Sequence, residues 1–179
     1  MRLTEKQFKQ LQEGGYPGGH NENQTIRQKL GLLPFPDDAF TFRNTPHSKA
    51  LHYLLKKPSD YQSQAEHWHQ CYIFHYFEMY YPEVYEYLYA TPNAGARGKV
   101  ERGRLLSAGL KAGFPDISLD LPMNGYHGLR CELKRPDRRA VVSDKQSHWI
   151  SLLNGKGYFA FIAYGHEDVI NQIKTYCSL

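Results

Sequence analysis

The spacing of apolar positions along this chain changes period several times, and each change marks an element. Between Ser63 and Tyr80 the bulky residues Trp68, Tyr72 and Tyr76 recur every fourth position, and so do Glu66 and Gln70. That period predicts a helix with one packed and one polar stripe. Pro82 breaks it. "EYLYATP" then reads as a short strand and "NAGARG" as a loop. Residues 99–112 predict a short helix ending at Gly113. Beyond it the period falls to two, and strands are predicted over 116–121, 126–134 and 157–164. Ser143 opens a helix that runs through Leu153 and closes at Gly155, and a last helix fills about 166–177. This order of elements predicts an α/β fold with a mixed central sheet flanked by helices.

The N-terminal part follows a different pattern. Thr4-x-x-Gln7 is a capping-box sequence and predicts a helix from Glu5 to Glu13, stopped by Gly14 and Gly15. Residues 16–46 are rich in Gly, Pro, Asn and Asp, with one apolar island, "LGLLPFP". They predict an extended arm that docks Leu32, Leu33 and Phe35 on its own core or on a second subunit. The chain thus divides into a helix and arm over residues 1–60 and a compact domain over residues 61–179.

Composition narrows the class. A chain of 179 residues with 41% hydrophobic and 22% charged positions has room for one well-buried core. No apolar run approaches the length of a membrane span, and the N-terminus lacks the apolar stretch of a signal peptide. Three widely spaced cysteines, an odd number, argue against a disulfide framework or a zinc knuckle. The expected setting is a reducing cytoplasm. Charge is uneven: residues 94–145 hold 11 Lys/Arg and 6 Asp/Glu, a net +5, whereas the remainder holds 11 and 12, a net −1. That excess reads either as a solvated face or as a groove for a polyanion.

Within the basic segment sits an acidic constellation. In "PDISLDL", Ile117, Leu119 and Leu121 share one strand face, and Asp116, Ser118 and Asp120 the other. In "GLRCELK", Leu129, Cys131 and Leu133 share one face, and Arg130, Glu132 and Lys134 the opposite one. Glu132 and Lys134 are therefore neighbours, with Cα atoms roughly 6.5 Å apart. If Asp116 pairs beside Glu132, two carboxylates converge next to an ammonium. Carboxylates that close repel unless one is protonated or a cation lies between them. Oxygen ligands suit Mg²⁺ or Mn²⁺, and a lysine there stabilises charge on a phosphate. This is the chemistry of phosphodiester hydrolysis.

"PD" at 115–116, fifteen residues, then "ELK" at 132–134 resembles the signature of the PD-(D/E)xK nuclease superfamily. "EHWHQ", "TPNAGAR", "LKAGFPD", "GLRCELKRP", "VSDKQSHWISLLNGKGY" and "AYGHEDVI" follow in an order that resembles the VRR-NUC (virus-type replication-repair nuclease) family, over roughly Gln64 to Tyr176. The resemblance implies a restriction-endonuclease-like core and a stand-alone member of phage or prophage type. It implies that Asp116 and Glu132 bind Mg²⁺ or Mn²⁺, with the Leu133 carbonyl completing the shell, and that Lys134 supports the attacking water. Glu66 matches a helical glutamate that reaches the metal, with Gln70 one turn on. Gln146 matches a glutamine of the helix after ExK, although Ser143-x-x-Gln146 is itself a capping box. Asn93, Arg97, Arg102, Arg104, Arg135, Arg138, Arg139 and Lys145 lie where such a family approaches the DNA backbone.

The bland alternatives are a surface Glu–Lys pair, a solvated helix face at Glu66, and ordinary surface cations. The histidines, His67 and His69 among them, show no zinc spacing and read as surface or core residues. Seven tyrosines between Tyr72 and Tyr89 read as a base-stacking surface, as core or as a subunit interface, the last being favoured. The resemblance implies a homodimeric endonuclease that resolves four-way (Holliday) junctions, leaving 5′-phosphate and 3′-hydroxyl ends, with no membrane partner. The competing functions are flap or branch nicking, restriction-type cleavage, and DNA binding without catalysis.

Overall fold

The computed structural model describes residues 33–92 and 99–179. The helix predicted over Glu5–Glu13, Leu32 and the "NAGARG" loop lie outside them. The first described segment is no free arm. Leu33 and Phe35 are buried in this chain's own core, and a 3₁₀ turn at Asp37–Phe40 buries Ala39 and Phe40 behind them. Phe35 packs edge-on against Phe40, Tyr61 and Tyr72 and lies over His69 and His166.

Helix α1 spans Pro46–Lys56. The Thr45 side chain caps it at the Ser48 N–H, and Pro46 occupies the first turn, where its missing N–H costs nothing. Leu51, Leu54 and Leu55 form its buried stripe. Helix α2, Ala65–Tyr80, packs on α1 and also on the last helix, so it buries more than one stripe: Trp68, His69, Tyr72, Ile73, Phe74, His75 and Phe77 are all inside. A short turn of helix, α3 (Pro82–Tyr85), leads into strand β1, Leu88–Ala90. Helix α4, Lys99–Ser107, is exposed along almost its whole described surface. It stops short of the predicted Ala112 because Gly109, at φ +100°, turns the chain.

The sheet follows in order β1-β2-β3-β4, with β2 at Ile117–Leu119, β3 at Leu129–Lys134 and β4 at Phe159–Tyr164. β1–β2 and β2–β3 are antiparallel and β3–β4 is parallel, a mixed sheet as the pattern predicts. β2 and β3 are shorter than the predicted 116–121 and 126–134. Tyr126 and Met123 instead form an isolated bridge in the connecting turn. Helix α5, Asp144–Asn154, precedes β4, and α6, Gly165–Cys177, leaves β4 with no intervening loop. Leu129, Cys131 and Leu133 of β3 share one core with Val169 and Ile173 of α6 and Phe77 of α2. Every residue of β3 is buried. The face bearing Arg130, Glu132 and Lys134 is therefore roofed over, and the charges on it must be accounted for. Among the described residues no helix is long and apolar enough to cross a membrane.

Candidate active site

The β2–β3 ladder pairs Ile117 with Cys131. Continued by one residue, that register sets Asp116 beside Glu132. Asp116 Oδ2 accepts the backbone N–H of Leu133 at 2.9 Å, which ties the head of β2 to the ExK strand. On the far side of Glu132, Lys134 Nζ donates to Oε1 at 2.9 Å, and Gln146 Nε2 donates to the same oxygen. Glu132 is 2% exposed, and its second oxygen, Oε2, is buried with no hydrogen-bond partner.

Such an oxygen is costly unless something fills the gap. Burial first, and then the Asp116 charge, push the Glu132 carboxyl up to about 7. The hydrogen bond and charge of Lys134 pull it down, and Glu66 adds further repulsion. The end of β3 is thus a buried carboxylate among like charges, with one oxygen satisfied twice and the other not at all. These are hard oxygen donors facing a deficit of positive charge. The set fits a divalent cation of the Mg²⁺ or Mn²⁺ kind, held by Asp116 and Glu132 with Glu66 close by. Among the described residues no three His, Cys, Asp or Glu side chains are already gathered at ligand distance.

Gln146 unites the two readings that the sequence left open. Its Oε1 accepts from the Ser143 N–H at 2.9 Å and from the Ser143 hydroxyl at 3.0 Å, and its own N–H points to Ser143 Oγ at 3.4 Å. That is a complete capping box. The amide NH₂ left over is what reaches Glu132, so the cap fixes the side chain that touches the site.

Helix α5 is also bolted to the approach to Asp116. Trp149 Nε1 donates to the Ala112 carbonyl at 3.3 Å, and its ring meets Phe114 edge-on at 5.1 Å. Gly113 sits at φ +79°, where a Cβ would come within 2.8 Å of Lys145 Cβ and 3.2 Å of the Gln146 nitrogen. The "AGFPD" segment can lie this close to α5 only because residue 113 has no side chain. Trp149 was not singled out by sequence and Gly113 only as a helix stop, since the partners of both are other loops and helices rather than near neighbours.

Glu66 stands in the first turn of α2, and its Oε1 accepts the Arg135 N–H at 3.2 Å, just past Lys134. Gln70, one turn on, is half-buried. Arg135, partly exposed, spends its guanidinium on this chain's own groups: one nitrogen donates to the Gln62 carbonyl at 3.0 Å and another pairs with Asp137 at 3.3 Å. Arg138 lies over the Tyr164 ring, 5.0 Å from its centroid. Arg102, Arg104, Arg139 and Lys145 are exposed, and Asn93 and Arg97 fall outside the described residues. Leu133 is held through its N–H, leaving its carbonyl role an expectation.

His69 proves to be core: Nδ1 meets His166 Nδ1 at 2.8 Å and accepts the His166 backbone N–H at 3.1 Å, while Nε2 meets the Tyr61 hydroxyl at 2.9 Å. A partner 97 residues away leaves no local signal. The tyrosine stripe divides. Tyr72 is buried, whereas Tyr80, Tyr87 and Tyr89 are exposed.

No family model matches the chain, and no curated protein matches it. Among solved structures, a protein described as "VRR_NUC domain protein" is similar to it. The two share 27% sequence identity over 64% of this chain and 88% of that one, with a TM-score of 0.56. The mixed α/β architecture, a four-strand mixed sheet flanked by helices, is thus similar to that of a VRR_NUC domain and consistent with a PD-(D/E)xK-like core.

Proposed function

We propose that this chain is a nuclease of the VRR-NUC family that hydrolyses phosphodiester bonds in branched DNA with the aid of Mg²⁺ or Mn²⁺. The observation that carries the reading is the end of β3: Glu132 with one oxygen held by Lys134 and Gln146, the other without a partner, and Asp116 alongside. The likeness to a VRR_NUC domain protein supports it from an independent direction.

A bound divalent ion would supply Lewis acidity to the phosphate and a more acidic water. Asp116 and Glu132 would hold it, with the negative charge of Glu66 nearby. Gln146 and Lys134 fix the rotamer of Glu132 from one side, so its other oxygen points in a set direction. Lys134 also keeps a positive charge where the phosphate gains negative charge in the transition state. Water oxygen bonds to phosphorus as the bond to the 3′ oxygen breaks, and that oxygen takes up a proton. The products are a 5′-phosphate and a 3′-hydroxyl.

The preferred substrate is proposed to be a four-way junction, cut by a homodimer. Two incisions on symmetric strands require two active sites related by a two-fold axis, and Tyr80, Tyr87 and Tyr89 offer exposed aromatic surface for such an interface. Labelled junction, flap and linear duplex DNA, incubated with and without Mg²⁺ or Mn²⁺, test both levels of the reading. Paired nicks across the junction in the presence of metal are expected. Flap nicking with junctions intact would replace the junction assignment and keep the hydrolase, and no cleavage of any substrate would remove both.

A further inference from the structure

The loop that leaves the ExK strand carries an arginine in a backbone conformation that suits glycine. Arg138 has φ +56°, in the left-handed region. A β-carbon there is strained, and Gly, Asn or Asp is the usual occupant. The loop around it is tightly built. The Arg138 N–H closes a turn onto the Arg135 carbonyl at 3.3 Å across Pro136 and Asp137. Asp137 accepts the Arg139 N–H at 3.2 Å and pairs with Arg135. Arg135 and the Glu66 carboxylate anchor the loop to the start of α2. The turn thus holds residue 138 in place through backbone and neighbours, none of which needs an arginine side chain there.

The guanidinium of Arg138 has been given a fixed position nonetheless. It lies over the ring of Tyr164, and Tyr164 is the β4 residue paired with Lys134 in the sheet register. The cation therefore stands at the rim of the site, one strand over from the lysine. It is exposed and makes no ion pair among the described residues, unlike Arg130, Lys134 and Arg135. A strained backbone, a ring that pre-orients a planar cation, and no internal anion to satisfy it are together the features of a group kept for an external ligand.

We infer that Arg138, held on Tyr164, is a substrate-binding residue that grips a backbone phosphate of the nucleic acid next to the cleaved one, whereas Arg135 is tied up by this chain's own groups. This rests on the nuclease reading. A planar fork with five donors matches a phosphate in two hydrogen bonds, which a mobile surface lysine does not. Arg139, exposed and not stacked on any described ring, serves as the internal control.

The test is made in an Asp116→Asn background, where bound DNA is expected to stay intact. Anisotropy with labelled four-way junction and linear duplex DNA is followed across a series of KCl concentrations, alongside thermal melting. Arg138→Gly relieves the backbone, so its melting temperature should hold or rise by about 2 °C. Its affinity should fall about tenfold, and its salt dependence should lose about 0.9 in slope, the share of one phosphate. Arg138→Gln should lose the same slope, Arg138→Lys should keep it, and Tyr164→Leu should weaken binding while keeping it. Arg139→Gln should change affinity by less than half as much. Native affinity and slope in Arg138→Gly, or a drop in its melting temperature, would overturn the inference and leave the nuclease reading standing. No DNA binding by the Asp116→Asn parent or by the native chain would overturn both.

Discussion

Strand β3 buries a charge at each end of one face, and the two ends are solved in opposite ways. At its start, Arg130 is 7% exposed. One guanidinium nitrogen pairs with Asp120 at 2.8 Å and another donates to the Leu129 carbonyl at 2.8 Å. The Tyr158 ring lies 4.6 Å from the guanidinium carbon, and only Nε lacks a partner. Its partners there are an anion, backbone carbonyl oxygens and an aromatic face. Two residues on, Glu132 meets the reverse: Asp116 and Glu66 repel it, and a single lysine offsets them. A buried charge surrounded by its complement serves the fold. One crowded by its own sign has to take up a proton or a further cation, and that difference sets the Arg130 part of β3 apart from the Glu132 part.

The comparison is broken most severely by altering the acidic end. Glu132→Gln or Asp116→Asn should lower cleavage by at least about a thousandfold, while DNA stays bound and the melting temperature holds, because each change removes repulsion. Rate assays on junction DNA with parallel melting check this, and full cleavage by either variant would contradict it. Lys134→Ala should cost about 10²–10³ in rate but leave metal binding in place; calorimetry that found metal affinity lost would make the lysine structural.

At the other end the pattern inverts. Arg130→Met should leave the site's metal binding intact and destabilise the fold by about 2 kcal/mol, a fall of about 4–8 °C in melting temperature.

A third buried group sharpens the contrast by carrying no charge at all. Burial first, helped by the nearby His166, pulls His69 down to about 3, and burial pulls His166 down to about 4 despite the nearby Glu167. Phe35, Tyr61 and Tyr72 close the rest of the pocket. The unfolded chain takes protons near pH 6.5 that the folded chain refuses, so stability is full above that value. It falls as pH drops toward the folded values, by on the order of 2 kcal/mol between pH 7.5 and 5.5. Urea unfolding at the two pH values measures it, and a His69→Phe/His166→Phe double variant should remove this pair's share, leaving that of His75, which burial pulls down to about 4. The smallest effect is expected from Gly113→Ala, about 1–2 kcal/mol of stability. Its added carbon should also push α5 away and weaken the Gln146 hold on Glu132, visible as a raised Mn²⁺ requirement for cleavage.

Features settled by near neighbours were legible in the sequence. Ser143 and Gln146 announced their own capping box, the period of two along "GLRCELK" gave the correct faces, and the "PD" and "ELK" spacing marked the residues that meet. Features settled at a distance were not. That the capping glutamine spares an NH₂ for Glu132 depends on how α5 lies against β3. That Arg135 is a strut depends on a carbonyl 73 residues earlier in the chain. How deeply the polar face of β3 is buried was not legible either: roofing by α5 and the loops makes it interior, and this is what gives Glu132 its raised affinity for protons. The strands came out shorter than predicted because their partners run out: β1 offers three residues to β2, and β2 three to β3.

Mn²⁺ titration by calorimetry, on the native chain beside Glu132→Gln and Arg130→Met, tests most directly that the two ends of β3 differ in kind. The account predicts saturable binding of Mn²⁺ to the native and Arg130→Met proteins and its loss in Glu132→Gln. Equal Mn²⁺ binding by Glu132→Gln and the native chain would contradict it.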